Sequence, residues 1–460
     1  MSGLLEGISD ARLYSACAVV LLYLTTCAYF LWPRRQPAPV TAGGDPDAPP
    51  TLIAYASQTG FAAEIAHRTA QSLQAAGTPV LLASLPDINE QLLQRTTNAL
   101  FVVSTTGEGD APDSAAAFVS TVLDRSLPLN ALNYGILALG DRDYDNFCAF
   151  GHRLDQWLRH QGASALFDVI EVDNGDEGAL RHWQHQLSVL SNSPDLPDWE
   201  APRYERWRLT ARRLVNPGSA GAECYHIELQ PQADANMSWQ AGDIAEIDPR
   251  NSTWNRDSRP LPHREYSIAS LPADGAIHLL VRRMRRPDGT PGLGSGWLTE
   301  GAKVGDAIAL RVRSNPNFHP PQGDAPLILI GNGTGIAGLR ALLKNRIAAG
   351  QHRNWLIFGE RNAAHDRFYG DEIEQWRARA QLERVDLVFS RDQPERRYVQ
   401  HRLRECADEL RRWVGDGAAI YVCGSLQTMA PAVDTALSEV LGAATLQELA
   451  ICGRYRRDVY

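Results

Sequence analysis

The sequence predicts three folded units in series: an α/β domain with a doubly wound parallel sheet, an antiparallel β-barrel, and a second α/β domain. One apolar helix precedes them. Three observations carry this reading. Short apolar runs alternate with amphipathic stretches over residues 51–192. Over residues 203–322 period-two runs separated by turn residues take their place. Strand–helix alternation then returns over residues 323–460.

A chain of 460 residues is long enough for several hydrophobic cores. With 44% hydrophobic and 22% charged residues, disorder is excluded for most of its length. A net charge of −9 argues against a nucleic-acid binder, which carries a basic excess. The seven cysteines are scattered and form no C-x-x-C pair. That pattern fits a reducing compartment and excludes the common zinc and iron–sulfur frameworks, so no metal is expected.

Residues 13–32 contain no charged side chain and are long enough to cross a hydrocarbon core of ~30 Å as a helix. Tyr14, Tyr29 and Trp32 lie near the ends, and Arg34 and Arg35 follow. The expectation is a single-pass anchor in the inner (cytoplasmic) membrane, with everything after Arg34 in the cytoplasm. Residues 33–50, rich in Pro, Gly and Ala, read as a tether.

In the first α/β unit the strands TLIAYA, PVLLASL, NALFVVST, YGILALG and ALFDVIEVD are separated by helical stretches. Ligands of such sheets bind at the carboxyl ends of the strands. Three turn-rich loops fall there. Ser57-Gln58-Thr59-Gly60 stands between a strand and a helix N-terminus, which makes an anion pocket. Ser104-Thr105-Thr106-Gly107 has a glycine that lets the backbone approach a ring. Leu139-Gly140-Asp141 leads to Tyr144, Asn146, Phe147 and Cys148.

The barrel is predicted from the runs ERWRLTARRLV, ECYHIELQP, GDIAEIDP, REYSIAS, AIHLLVRRMRR and DAIALRVRS. Arg264-Glu265-Tyr266-Ser267 sets a cation, a ring and a hydroxyl in close succession. On a strand, Arg264 and Tyr266 face the same way. A guanidinium grips a pyrophosphate, a phenol covers a flat heterocycle, and the Ser267 hydroxyl reaches its edge. That combination suits a flavin dinucleotide. Gly292, Gly294 and Ser295 open a short helix able to receive a pyrophosphate.

In the last unit the strand LILI runs into Gly331-Asn332-Gly333-Thr334-Gly335, a turn that lets a backbone approach a dinucleotide phosphate. After the strand VDLVF come Ser390, Arg391, Arg396, Tyr398 and Gln400. A hydroxyl and two arginines can hold a phosphomonoester.

These motifs resemble the diflavin reductase family, in which a flavodoxin-like FMN domain precedes a ferredoxin–NADP reductase-like FAD and NADPH module. SQTG, STTGEGDAPD and LGDRDYDNFCAFG are similar to the family's FMN site. NWLIFGER, SRDQ…YVQ, IYVCGS and the terminal RYRRDVY are similar to its sulfite reductase branch. The resemblance implies that Ser57, Gln58, Thr59, Gly60, Phe61 and Ala62 hold the FMN phosphate. Ser104 to Gly107 would line the ring and Tyr144 would stack on it, with Asp173 a looser match. Thr106 stands where some relatives place a second aromatic. Arg264 to Ser267 with Gly292, Gly294 and Ser295 would bind FAD. Gly333, Thr334 and Gly335 would meet NADPH, and Ser390, Arg391 and Arg396 would contact its 2′-phosphate. Ser267, Cys423 and Asp458 would surround the hydride path. Tyr460 would cover the FAD ring until nicotinamide displaces it. The family's helical connecting insert is absent, only residues 249–263 joining the two barrel strands at that place.

The implied activity is NADPH to FAD to FMN to a one-electron acceptor, a redox protein such as a haemoprotein, with the chain held at the membrane by its N-terminal helix. Two alternatives are a reductase for a membrane haem or ferric-siderophore system, and a flavin-binding sensor or scaffold without turnover.

Overall fold

The computed structural model describes residues 49–460 except 143, 194–198, 200–201, 233–236, 250–262 and 287. The first sheet consists of β1 (Thr51–Ala56), β2 (Val80–Ser84), β3 (Asn98–Ser104), β4 (Asn133–Gly140), β5 (Ser164–Ala165) and β6 (Ile170–Asp173). Its order is β2-β1-β3-β4-β5, all parallel, and β6 also pairs with β4. The run ALFDVIEVD therefore forms two short strands, β5 beside the start of β4 and β6 beside its end. Both faces of the sheet are covered, so the central strands are apolar throughout rather than alternating. The helix Phe61–Ala75 buries Ala62, Ile65, Ala66, Thr69, Ala70 and Leu73, the three-and-four spacing of a single face.

The second sheet is antiparallel, in the order β10-β9-β12-β7-β8-β11. Its strands are β7 (Glu205–Leu214), β8 (Cys224–Pro231), β9 (Ile244–Asp248), β10 (Arg264–Ser267), β11 (Ile277–Arg282) and β12 (Ala307–Arg313). Beyond β10, the Ala269 N–H donates to the His278 carbonyl of β11 at 2.8 Å, which draws the two edges together. The third sheet is parallel, in the order β15-β14-β13-β16-β17. It is built from β13 (Leu327–Asn332), β14 (Asn354–Glu360), β15 (Arg384–Phe389), β16 (Ala419–Gly424) and β17 (Tyr455–Val459). The chain reverses direction across the sheet between β13 and β16, which opens a crevice at their carboxyl ends. Cys224, Ala269, Leu280 and Phe318 share one core with Leu327, Leu329 and Tyr421, so barrel and third sheet pack as one body.

The expected membrane anchor and inner-membrane location are corrected here. Among the described residues no helix is long and apolar enough to cross a membrane. The longest of these, Phe61–Ala75, has 15 residues. At 1.5 Å per residue that is ~22 Å, short of a ~30 Å hydrocarbon core. Residues 13–32, where the anchor was expected, lie outside the described residues.

Candidate active site

A cavity of about 1020 Å³ lies between the barrel and the carboxyl edge of the third sheet. It gathers motifs far apart in the chain: Arg264 to Ser267, Gly292 to Ser295, Gly333 and Thr334, Ser390 and Arg391, Tyr398 and Gln400, and Tyr460. Arg396 is not among its walls, and the neighbouring Arg397 is. Gly335 is not in the wall either. A Cβ on it would lie 2.1 Å from the Cys423 carbonyl oxygen, so this glycine serves the approach of its turn to β16.

The barrel side is built for a close fit. A Cβ on Gly294 would sit 2.7 Å from both Arg264 Cγ and Tyr266 Oη, so only a glycine lets the helix start reach that pair. Burial pushes the Tyr266 phenol up, and Arg264 opposes this. Glu265 is held down at about 2: burial would raise it, but Arg313 and His263 outweigh that.

Behind the cavity wall, β16 and β17 set Cys423 beside Asp458. Ser267 Oγ donates to Asp458 Oδ2 at 2.7 Å, and Cys423 Sγ lies 3.6 Å from the same oxygen. Cys423 is completely buried. Burial, reinforced by the Asp458 charge, holds its thiol well above the ordinary range. Burial also raises the Asp458 carboxyl, while the bonds from Ser267 and Cys423 favour its ionised form. Of the three, only Ser267 forms part of the cavity wall. Tyr460 is 49% exposed at the mouth. Its N–H donates to the Gly424 carbonyl at 3.1 Å, and its hydroxyl reaches Thr334 Oγ1 at 3.3 Å.

Among the charged wall residues that escape sequence reasoning is one ion pair. Arg282, at the end of β11, pairs with the buried Glu360 of β14 at 2.7 Å. Burial raises the Glu360 carboxyl, and Arg282 counters this. The quoted runs VRRMRR and NWLIFGER contain both, but only the tertiary fold brings them together.

The three loops of the first domain meet at the carboxyl ends of β1, β3 and β4. Thr105 N–H donates to the Leu139 carbonyl at 2.8 Å, and Asn146 Nδ2 to the Glu108 carbonyl at 2.7 Å. Asp173 joins them, its Oδ1 accepting from the Arg142 N–H at 3.0 Å. Cys148 is buried, with a positive φ of 55°, and burial pushes its thiol up to about 12. It is a packing residue at the base of the loop. Arg142 lies over the Phe147 ring at 4.3 Å. Near Thr106, a methyl of Leu426 from the third sheet's side comes within 3.6 Å of where a Gly107 Cβ would start. Ser57 Oγ is buried without a hydrogen-bond partner, and the helix after Gly60 has no side-chain cap. These open donors fit a phosphate.

Residues 53–183 match the flavodoxin family, and residues 329–435 match the oxidoreductase NAD-binding domain. The chain joins a flavodoxin domain to an oxidoreductase NAD-binding domain. That pairing makes it a diflavin oxidoreductase with FMN, FAD and NADPH as its cofactors. Among similar proteins are sulfite reductase [NADPH] flavoprotein alpha-components. The one from Vibrio cholerae serotype O1 (El Tor Inaba N16961) is 29% identical, over 89% of this chain and 87% of the relative. The one from Shewanella sp. ANA-3 is 28% identical, over 95% and 94%. The one from Bacillus subtilis is 27% identical, over 89% of each. The V. cholerae alignment spans 537 positions, more than the 460 residues of this diflavin oxidoreductase, so that relative carries segments without a counterpart here.

Proposed function

We propose that this chain takes a hydride from NADPH and delivers electrons one at a time to a haemoprotein of the sulfite reductase kind. Support for the acceptor comes from the relatives, whose names make them flavoprotein components of an NADPH-dependent sulfite reductase. When bound, FAD supplies hydride acceptance and FMN single-electron release. The residues proposed for FAD are Arg264, Tyr266 and the helix start at Gly292 to Ser295. Ser390, Arg391, Tyr398 and Gln400 are those proposed for NADPH. Arg396 is withdrawn from that set because it stands outside the cavity.

The observation that carries the reading is the Ser267–Asp458–Cys423 cluster at the wall of a cavity rimmed by Tyr460. Ser267 holds its proton toward Asp458, so its oxygen faces the cavity as an acceptor with a fixed orientation. Tyr460 is anchored by its backbone on Gly424, and its ring is held at the mouth by one hydroxyl bond to Thr334, which must break for it to swing as a cover. Flavin-loaded protein is expected to reduce cytochrome c with NADPH and far less with NADH. Arg391→Ala should erase most of that preference, about tenfold or more, through loss of a charge-assisted bond. An unchanged NADPH/NADH ratio would remove Arg391 from the phosphate site.

A further inference from the structure

The loop Ser57–Gly60 contains no basic side chain, yet the phosphate it is read to hold is an anion. A cation reaches the loop from the barrel. Arg313, the last residue of β12, donates through Nη1 to the Thr59 carbonyl at 2.8 Å and to Thr59 Oγ1 at 3.1 Å. Its guanidinium carbon lies 5.8 Å from the Phe61 ring centroid. Arg313 is only 4% exposed. Its Nη2 forms an ion pair with Glu265, and its Nε lies 3.8 Å from a carboxylate oxygen of Glu246.

The contact is tight on both sides. A Cβ on Gly60 would lie 2.2 Å from the Ser314 carbonyl oxygen, so the loop is pressed against the end of β12. Asn317 Nδ2 also donates to the carbonyls of Ser57 and Gln58. Three features thus meet at one spot: a buried Ser57 hydroxyl without a partner, an uncapped helix of 15 residues, and a buried guanidinium already bonded to the Thr59 hydroxyl. A helix N-terminus attracts an anion only weakly by itself, and an adjacent desolvated cation strengthens the attraction.

We propose that Arg313 completes the FMN phosphate site from the neighbouring domain, by ligating the phosphate or by fixing the Thr59 hydroxyl toward it. The proposal rests on the reading of Ser57–Gly60 as the phosphate loop. It makes FMN retention depend on the docking of the flavodoxin domain against the barrel. Because Arg313 also pairs with Glu265, the same guanidinium touches the loop of one flavin and the tetrad of the other.

The test uses full-length protein stripped of FMN and still loaded with FAD, titrated separately with FMN and with riboflavin, which lacks the phosphate. Arg313→Gln should weaken FMN binding on the order of 10- to 100-fold and leave riboflavin binding unchanged. Arg313→Lys should recover part of the loss. Equal weakening of FMN and riboflavin, or none of either, with FAD content intact, would overturn the proposal. Lys and Gln variants that behave alike would also overturn it, since the charge would then be irrelevant. Wild-type protein binding FMN no better than riboflavin would instead overturn the assignment of Ser57–Gly60, and this proposal with it.

Discussion

Arg457 of the C-terminal strand grips Asp113 of the flavodoxin domain, its Nε donating to both carboxylate oxygens at 3.0 and 3.3 Å. Burial would lower the Arg457 pKa, but the Asp113 charge outweighs it and raises the guanidinium's value. The next residue in the chain is Asp458, the acceptor of the Ser267 bond. Adjacent residues of β17 therefore face two places, Arg457 the flavodoxin domain and Asp458 the Ser267 and Cys423 cluster. Gln58 Nε2 adds to the contact, donating to the Arg457 carbonyl at 2.6 Å.

Loosening this clasp should separate the two halves of the reaction. Asp113→Asn is expected to slow NADPH-driven cytochrome c reduction several-fold, to about tenfold. Ferricyanide reduction, which can draw on FAD directly, should change less than about twofold. The estimate follows from the ~1–2 kcal/mol lost when one partner of a partly buried ion pair is neutralised. Parallel loss of both activities would show that Asp113 supports folding and not docking.

Two glycines, one in the nucleotide turn and one in the helix that follows it, should respond in opposite ways. Gly335→Ala forces a Cβ to 2.1 Å from the Cys423 carbonyl oxygen, a backbone atom that has no rotamer to yield. A loss of ~1–3 kcal/mol in stability and weaker NADPH binding are expected. Gly338→Ala meets Ser267 Cβ at 3.5 Å, an ordinary contact, and Cys423 Sγ at 3.3 Å, a close one that is relieved if the thiol shifts by a few tenths of an ångström. It lies within the helix Ile336–Ala348, where alanine gains up to ~1 kcal/mol over glycine. Thermal melts of the two variants check both signs.

Much of this arrangement was legible in the sequence. The parallel strands of both α/β units are short apolar runs, and their loops carry glycines and hydroxyls at the carboxyl ends. The tetrad Arg264 to Ser267 falls on a strand for the same reason: its alternation is local. Contacts such as Arg313 to Thr59, or Arg282 to Glu360, join residues that no periodicity relates. Arg396 is named through its resemblance to a basic position of the family, and only the fold shows that its neighbour Arg397 is the one lining the cavity. The alignment of Gly107 with Leu426 was equally invisible, since it depends on how two sheets dock.

A pH effect arises between β8 and β11. His226 and His278 lie with ring centroids 4.9 Å apart, and burial lowers each to about 4. Arg340 and Arg213 reinforce the shift at His226, and His226 and Arg340 do so at His278. An imidazole depressed in this way stabilises the fold above its ordinary value of 6.5 and loses that contribution as pH falls toward 4. At ~1.4 kcal/mol per pKa unit, and with partial exposure of His278 discounted, the pair should cost on the order of 2–4 kcal/mol across that window. The double variant His226→Gln, His278→Gln should flatten the fall in melting temperature between pH 6.5 and 4. An unchanged slope would assign acid sensitivity elsewhere.

The central claim is that electrons leave through FMN after entering through FAD. Selective removal of FMN from the purified chain, with FAD retained, tests it most directly. NADPH-dependent ferricyanide reduction should persist, cytochrome c reduction should fall at least about tenfold, and added FMN should restore it. Cytochrome c reduction that survives FMN removal undiminished would contradict the account.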